Sequence, residues 1–115
     1  MKRRPGLLML PSVVVASHRL ENAWLIELRG RFTHFDLSDV TAATARGLGI
    51  QEGPIVFELG GLLFCDSSLL NHFLATRRLR RVVLTHVPDL LHRMLDITGT
   101  LDVFEFGGDA ESTVA

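Results

Sequence analysis

The hydrophobic period changes between Pro54 and Arg78, and that change limits what the chain can fold into. Ile55, Val56 and Phe57, with Leu59 behind them, make a short apolar run bounded by Gly53-Pro54 and Gly60-Gly61. A run this short, rich in β-branched and aromatic residues, predicts a strand buried on both faces rather than a helix. After the glycines come Leu62-Leu63-Phe64-Cys65 and then Asp66-Ser67-Ser68. From there Leu69, Leu70, Phe73 and Leu74 recur at helical spacing, with Asn71, His72, Arg77 and Arg78 between them. Asp66 or Ser67 suits the N-cap, because a short side-chain oxygen can accept from the free N–H groups of a first helical turn. A buried strand thus delivers two hydroxyls and a carboxylate to the mouth of a helix. A functional site is expected there.

The elements around that stretch follow from the same signals. Val13 to Leu20 reads as a strand and Leu20 to Ala23 as a polar turn. Trp24, Ile26 and Leu28 then alternate against Leu25, Glu27 and Arg29, so the two strands form an antiparallel hairpin ended by Gly30. Thr33-His34-Phe35-Asp36 has the Thr-x-x-Asp form of a capping box. Behind it Leu37, Val40, Thr44 and Leu48 make one apolar helical face, with Gly47 and Gly49 as stops. Arg81 to Thr85 reads as another strand. Pro88 fits the first position of a helix carried by Leu90, Leu91, Met94, Leu95 and Ile97, and Gly99 stops it. Asp102 to Phe106 reads as the last strand. The fold class is therefore α/β, a mixed β-sheet with an N-terminal antiparallel hairpin in the order β-β-α-β-α-β-α-β.

With 115 residues this is one domain spanning 1–115, in which 1–12 read as an N-terminal extension and 107–115 as a flexible tail. The basic start Met1 to Arg4 and the apolar residues after it imitate a secretory signal, but Pro11-Ser12 interrupts the apolar middle. No run reaches the length of a spanning helix, so no membrane insertion is expected. Twelve basic residues balance 13 acidic ones, and no field points to nucleic acid. One cysteine excludes an intramolecular disulfide and fits a reducing compartment, so the expected location is cytoplasmic.

Asp66-Ser67-Ser68 before an apolar helix resembles the central segment of STAS domains, the bacterial anti-sigma factor antagonist family. Members carry a hydrophobic strand and then Asp-Ser-Ser-Gly-Leu opening a helix. Leu28-Arg29-Gly30 before a capped helix looks like the family's L-x-G-x-x-(D) entry. Val87 to Gly99 looks like its S-P-x-V-x-R-L-L-x-x-T/S-G-L helix. The order of elements from Val13 to Phe106 is similar to the STAS fold. The resemblance implies that Ser67, with Ser68 as second choice, is phosphorylated by a partner anti-sigma factor that is itself an ATP-dependent serine kinase. It implies a non-enzymatic module that regulates transcription through protein–protein interaction, with Thr33, Asp66, Ser67, Ser68, Leu69 and His72 as the partner-binding set. The family's glycine after the second serine is Leu69 here, and its acidic residue after the first glycine is replaced by Thr33, between Phe32 and His34. An exposed apolar patch around Leu69 is the expected mark of a docking surface. The alternative is a STAS-like adaptor or scaffold subunit of a transporter or signalling assembly, without phosphorylation. A second copy of the chain is a further candidate partner.

Other chemistries find little support. The five histidines, His18, His34, His72, His86 and His92, lack carboxylate or cysteine neighbours at ligand spacing, so no metal and no cofactor is expected. Ser67 or Ser68 with His72 does not make a hydrolase, since no G-x-S-x-G elbow is present and a His one turn along is poorly placed as a base. Gly60-Gly61 lacks the Lys and Ser/Thr of a P-loop. Cys65 reads as a core residue, with Asp66 beside it opposing thiolate formation. Arg77 to Arg81 reads as a solvated cationic helix end.

Overall fold

The structure, a computed structural model, describes residues 13–50 and 52–108. The expected extension 1–12 lies outside them, as does all of the expected tail except Gly107 and Gly108. Strand β1 (Val13–Arg19) turns back antiparallel onto β2 (Trp24–Phe32), which continues through a short 3-10 helix (His34–Asp36) into α1 (Leu37–Ile50). Then follow β3 (Ile55–Cys65), α2 (Ser67–Arg77), β4 (Val82–Thr85), α3 (Asp89–Ile97), a second 3-10 turn (Leu101–Val103) and β5 (Glu105–Gly107). The sheet order is β1-β2-β3-β4-β5, with β1 antiparallel to β2 and every later pair parallel. The α/β mixed sheet with its opening hairpin is the architecture the sequence predicts.

Right-handed crossovers between strands that advance one place at a time put all three helices on one face. The alternation in β2 then decides the core. Trp24, Ile26 and Leu28 point under the helices and are buried with Val40, Leu70, Phe73, Leu91 and Leu95. Phe57 and Phe73 pack with ring centroids 4.5 Å apart, and Phe104 closes the cluster against Phe73 at 6.3 Å. On the opposite face Val56 and Val83 form a smaller cluster with Ala23, Leu20 and Leu25. The β3 run is therefore covered on both sides, as its composition requires.

Four details differ from the sequence reading. Gly60-Gly61 do not end β3; the strand runs on to Cys65, and β2 passes Gly30 to Phe32. Between Glu27 and Arg29 β2 advances two residues while β3 advances three (58 to 61), and between Gly30 and Arg31 it advances one while β3 advances two (62 to 64). These are two bulges; Gly60 suits the first, and Leu63 is the extra residue of the second. Gly47 and Gly49 do not stop α1, which continues to Ile50. Gly47 is there because a Cβ would sit 2.2 Å from Cδ1 of Trp24, whose indole N–H donates to the Ala43 carbonyl at 3.0 Å. Pro88 is the N-cap of α3 and not its first residue, while Gly99 does take the left-handed stop (φ 72°). Finally, β5 is only Glu105–Gly107, because Leu101–Val103 turn as a 3-10 helix to drop Phe104 into the core; Gly107 thus belongs to the sheet and not to the tail.

Candidate functional site

The two bulges lengthen β3 so that it overshoots β4 and carries Cys65 and Asp66 beside the end of β2. There Phe32 pairs with Cys65, and the Asp66 N–H donates to the Phe32 carbonyl at 3.2 Å. Asp66 has extended backbone angles and is the N-cap of α2, with Oδ1 accepting from the Ser68 N–H at 2.9 Å. Its other oxygen, Oδ2, accepts from the His34 N–H at 3.2 Å. One carboxylate thus joins the start of α2 to the loop after β2.

That loop is itself locked. Thr33 forms the expected capping box: its N–H donates to Asp36 Oδ2 at 2.9 Å, and its Oγ1 accepts from the Phe35 N–H at 3.3 Å. Thr33, Asp66, Ser67 and Ser68 are therefore gathered at one end of the sheet. Ser67, at the first position of α2, is exposed and its hydroxyl has no hydrogen bond among the described residues; Ser68 is half-buried. The partial positive charge and free N–H groups of the α2 N-terminus point at this corner.

Two of the expected partner contacts sit elsewhere. Leu69 is 0 % exposed in the core, so the apolar patch expected around it does not form and only its backbone can be near a partner. The cause is the helical period: Leu69 shares the buried face with Leu70 and Phe73. His72 turns toward α1, where its Nε2 lies 2.9 Å from the buried Thr44 hydroxyl and its ring meets Phe57 edge-on. Burial holds the His72 imidazole below its ordinary pKa. It joins α1 to α2 and does not line the mouth.

The large apolar side chains exposed on the segments that lead into this corner are Phe35 and Leu63, residues that pattern reasoning passes over. Phe35 is 82 % exposed, with the His34 ring 3.9 Å away, and Leu63 is 70 % exposed. Leu63 is the extra residue of the second bulge, which breaks its alternation and turns it outward. Next to it Arg31 lies over the Phe64 ring at 5.0 Å. Only the cross-strand register reveals Leu63; Phe35 is visible in sequence as an aromatic inside a capping box.

Cys65 is buried, and burial together with the Asp66 charge pushes its thiol up to about 11, which removes it as a nucleophile. Much of the arginine cluster is spent on the fold: Arg77 donates to the Val103 carbonyl, Arg80 to the Gly53 and Leu48 carbonyls, and Arg81 pairs with Glu105. No group of three potential metal ligands occurs among the described residues, and no described helix is long and apolar enough to cross a membrane.

No family model and no curated protein sequence matches the chain. Solved structures do. An anti-sigma factor antagonist from Mycobacterium paratuberculosis superposes with a TM-score of 0.79 at 14 % identity, over 90 % of this chain and 94 % of that one. The anti-sigma factor antagonist SpoIIAA in its unphosphorylated form gives 0.73 at 16 % identity, over 87 % and 93 %. The Bacillus cell fate determinant SpoIIAA in the phosphorylated form gives 0.68 at 16 % identity, over 87 % and 96 %. An uncharacterized protein with a SpoIIAA-like fold from Shewanella loihica PV-4 gives 0.58 at 14 % identity, over 98 % and 93 %. The chain has the SpoIIAA-like STAS fold.

Proposed function

We propose that this chain, built on the fold of the anti-sigma factor antagonists, docks an anti-sigma factor kinase at the mouth of α2 and is released when Ser67 is phosphorylated. It is a non-enzymatic, cytoplasmic binding module that regulates transcription by occupying the anti-sigma factor. The observation that carries this reading is the exposed Ser67 hydroxyl beside a cap that does not depend on it. Asp66 caps α2 and ties down the Thr33–His34 loop, so Ser67 is free to be modified without unpicking either element. A phosphate there adds about −1.5 to −2 charges and meets the favourable end of the helix dipole. It leaves the helix folded and places charge beside Asp66, whose carboxylate holds the loop that carries the exposed Phe35. Docking is then weakened by repulsion and by desolvation. SpoIIAA itself has been solved in a phosphorylated and an unphosphorylated form, which supports the same logic here.

The test is intact mass after incubation with ATP and the anti-sigma kinase encoded nearest to this chain. Wild type gains one phosphate, Ser68→Ala gains one, and Ser67→Ala gains none. Labelling of Ser67→Ala but not Ser68→Ala would move the site to Ser68. A stable complex without any phosphate would sink the switch and leave a STAS-like adaptor, a reading the exposed Phe35 and Leu63 also support.

A further inference from the structure

Glu58 and His86 lie 28 positions apart in the sequence and meet where β4 ends beside β3. His86 Nδ1 is 2.8 Å from Glu58 Oε1 and 3.1 Å from Oε2. Glu58 is ionised at neutral pH and can only accept, so Nδ1 carries the proton and Nε2 keeps its lone pair. The carboxylate is fixed in turn by the Thr85 hydroxyl at 2.6 Å and the Gly60 N–H at 2.9 Å. Gly60 packs so closely that a Cβ there would stand 2.8 Å from Glu58 Oε2 and 3.5 Å from the His86 Cβ.

The backbone of His86 is held as well. It is the one non-glycine residue with a positive φ (52°) among the described residues, and its N–H donates to the Gly107 carbonyl at 3.2 Å. Such a conformation persists only where its surroundings impose it. The ring is therefore aimed and its tautomer set, the arrangement in which a carboxylate raises the basicity of the outer nitrogen. Glu27, opposite Glu58 on β2, is taken up by Arg29 at 2.9 Å. His18, His34 and His92 are also exposed, but none of their imidazoles has a carboxylate partner among the described residues.

We propose that His86 is a second modification site, taking a phosphoryl group on Nε2 from a donor with a P–N bond. The side chain is 51 % exposed, so the group meets it in the open, which suits modification rather than turnover of an enclosed substrate. Phosphoryl transfer asks a site for positioning and charge stabilisation, and the Glu58–His86 pair supplies both. In the step the Nε2 lone pair attacks phosphorus and a new N–P bond forms. The donor's nitrogen, protonated before transfer, leaves as the amine with the pair of the broken P–N bond. The imidazolium that results keeps its Nδ1 proton on Glu58, whose negative charge balances it. The step makes no use of Ser67.

Potassium phosphoramidate on the full chain tests this, at a mildly alkaline pH where free imidazole is neutral. Site-resolved tandem mass spectrometry follows the four exposed histidines of one molecule against each other. His86 is expected to label about fivefold or more faster than His18, His34 and His92, with nitrogen NMR placing the phosphoryl group on Nε2. Glu58→Gln keeps an acceptor oxygen but removes the charge, and slows His86 by about tenfold while the other three keep their rates. Ser67→Ala labels as wild type does, which separates this site from the switch proposed above. The comparison within wild type stands even if the Glu58 variant folds poorly. A His86 that labels no faster than the other three overturns the proposal. So does attachment at Nδ1, or a rate at His86 that is indifferent to Glu58→Gln.

Discussion

Asp66 does with one side chain what usually takes two, capping α2 through Oδ1 and holding the His34 N–H through Oδ2. Asp66→Ala removes both acceptors at once and is expected to lower the unfolding free energy by about 1–2 kcal/mol. Ser67→Ala, which removes no hydrogen bond, is expected to stay within about 0.5 kcal/mol of wild type. Urea midpoints at fixed pH check the pair, and equal losses would mean that Ser67 shares the cap. Two other residues contribute to how stability responds to acid. His72 has a folded pKa below its ordinary 6.5, so the folded state binds fewer protons; its contribution is complete above 6.5 and is lost as pH falls toward the folded value. Burial pulls the Glu58 carboxyl upward, but the Thr85 hydroxyl, His86 and the Gly60 N–H outweigh that and hold it below its ordinary 4.5. Its contribution is likewise present above 4.5 and lost below. The urea midpoint should therefore fall in two stages on acidification, with His72→Gln flattening the first and Glu58→Gln the second. The Asp66 cap was legible in the sequence because capping is local. The partners of His72 and Glu58 were not, since Thr44 and Thr85 lie 28 and 27 positions away.

At the scale of elements, helices and strands show in the sequence through their periods, and the glycines mislead. Gly47 and Gly49 read alike as helix stops, yet both lie inside α1 and meet different surroundings. A Cβ at 47 would collide with the Trp24 ring, whereas one at 49 meets nothing within 4 Å. Gly47→Ala should cost about 1–3 kcal/mol through overpacking. Gly49→Ala should gain up to about 1 kcal/mol from helix propensity. Thermal melts of the two variants should move in opposite directions; a shared sign would mean that the Trp24 contact does not govern this helix. Gly60-Gly61 mislead in the same way, because a bulge is defined by the strand beside it. That pairing decides that β3 reaches Asp66 and that Leu63 is turned outward. Leu69 is the reverse case: its helical period already placed it with the core, and the resemblance alone suggested a role at the surface.

For the whole molecule, the order of elements, the mixed sheet and the corner at which β3 enters α2 could all be read from one sequence, because each rests on local period and on the handedness of crossovers. The exposure of Phe35 and Leu63 could not, since it depends on a capped 3-10 turn and on a bulge set by the neighbouring strand. The switch proposed for this corner acts in an interface while the fold stays as it is. Calorimetric titration of the cognate anti-sigma factor with unmodified and Ser67-phosphorylated protein, paired with thermal melts of both forms, tests that most directly. Affinity is predicted to fall about tenfold or more on phosphorylation, with the melting temperature nearly unchanged. Equal affinity of the two forms, or a loss of affinity that tracks unfolding of the phosphorylated protein, would contradict it.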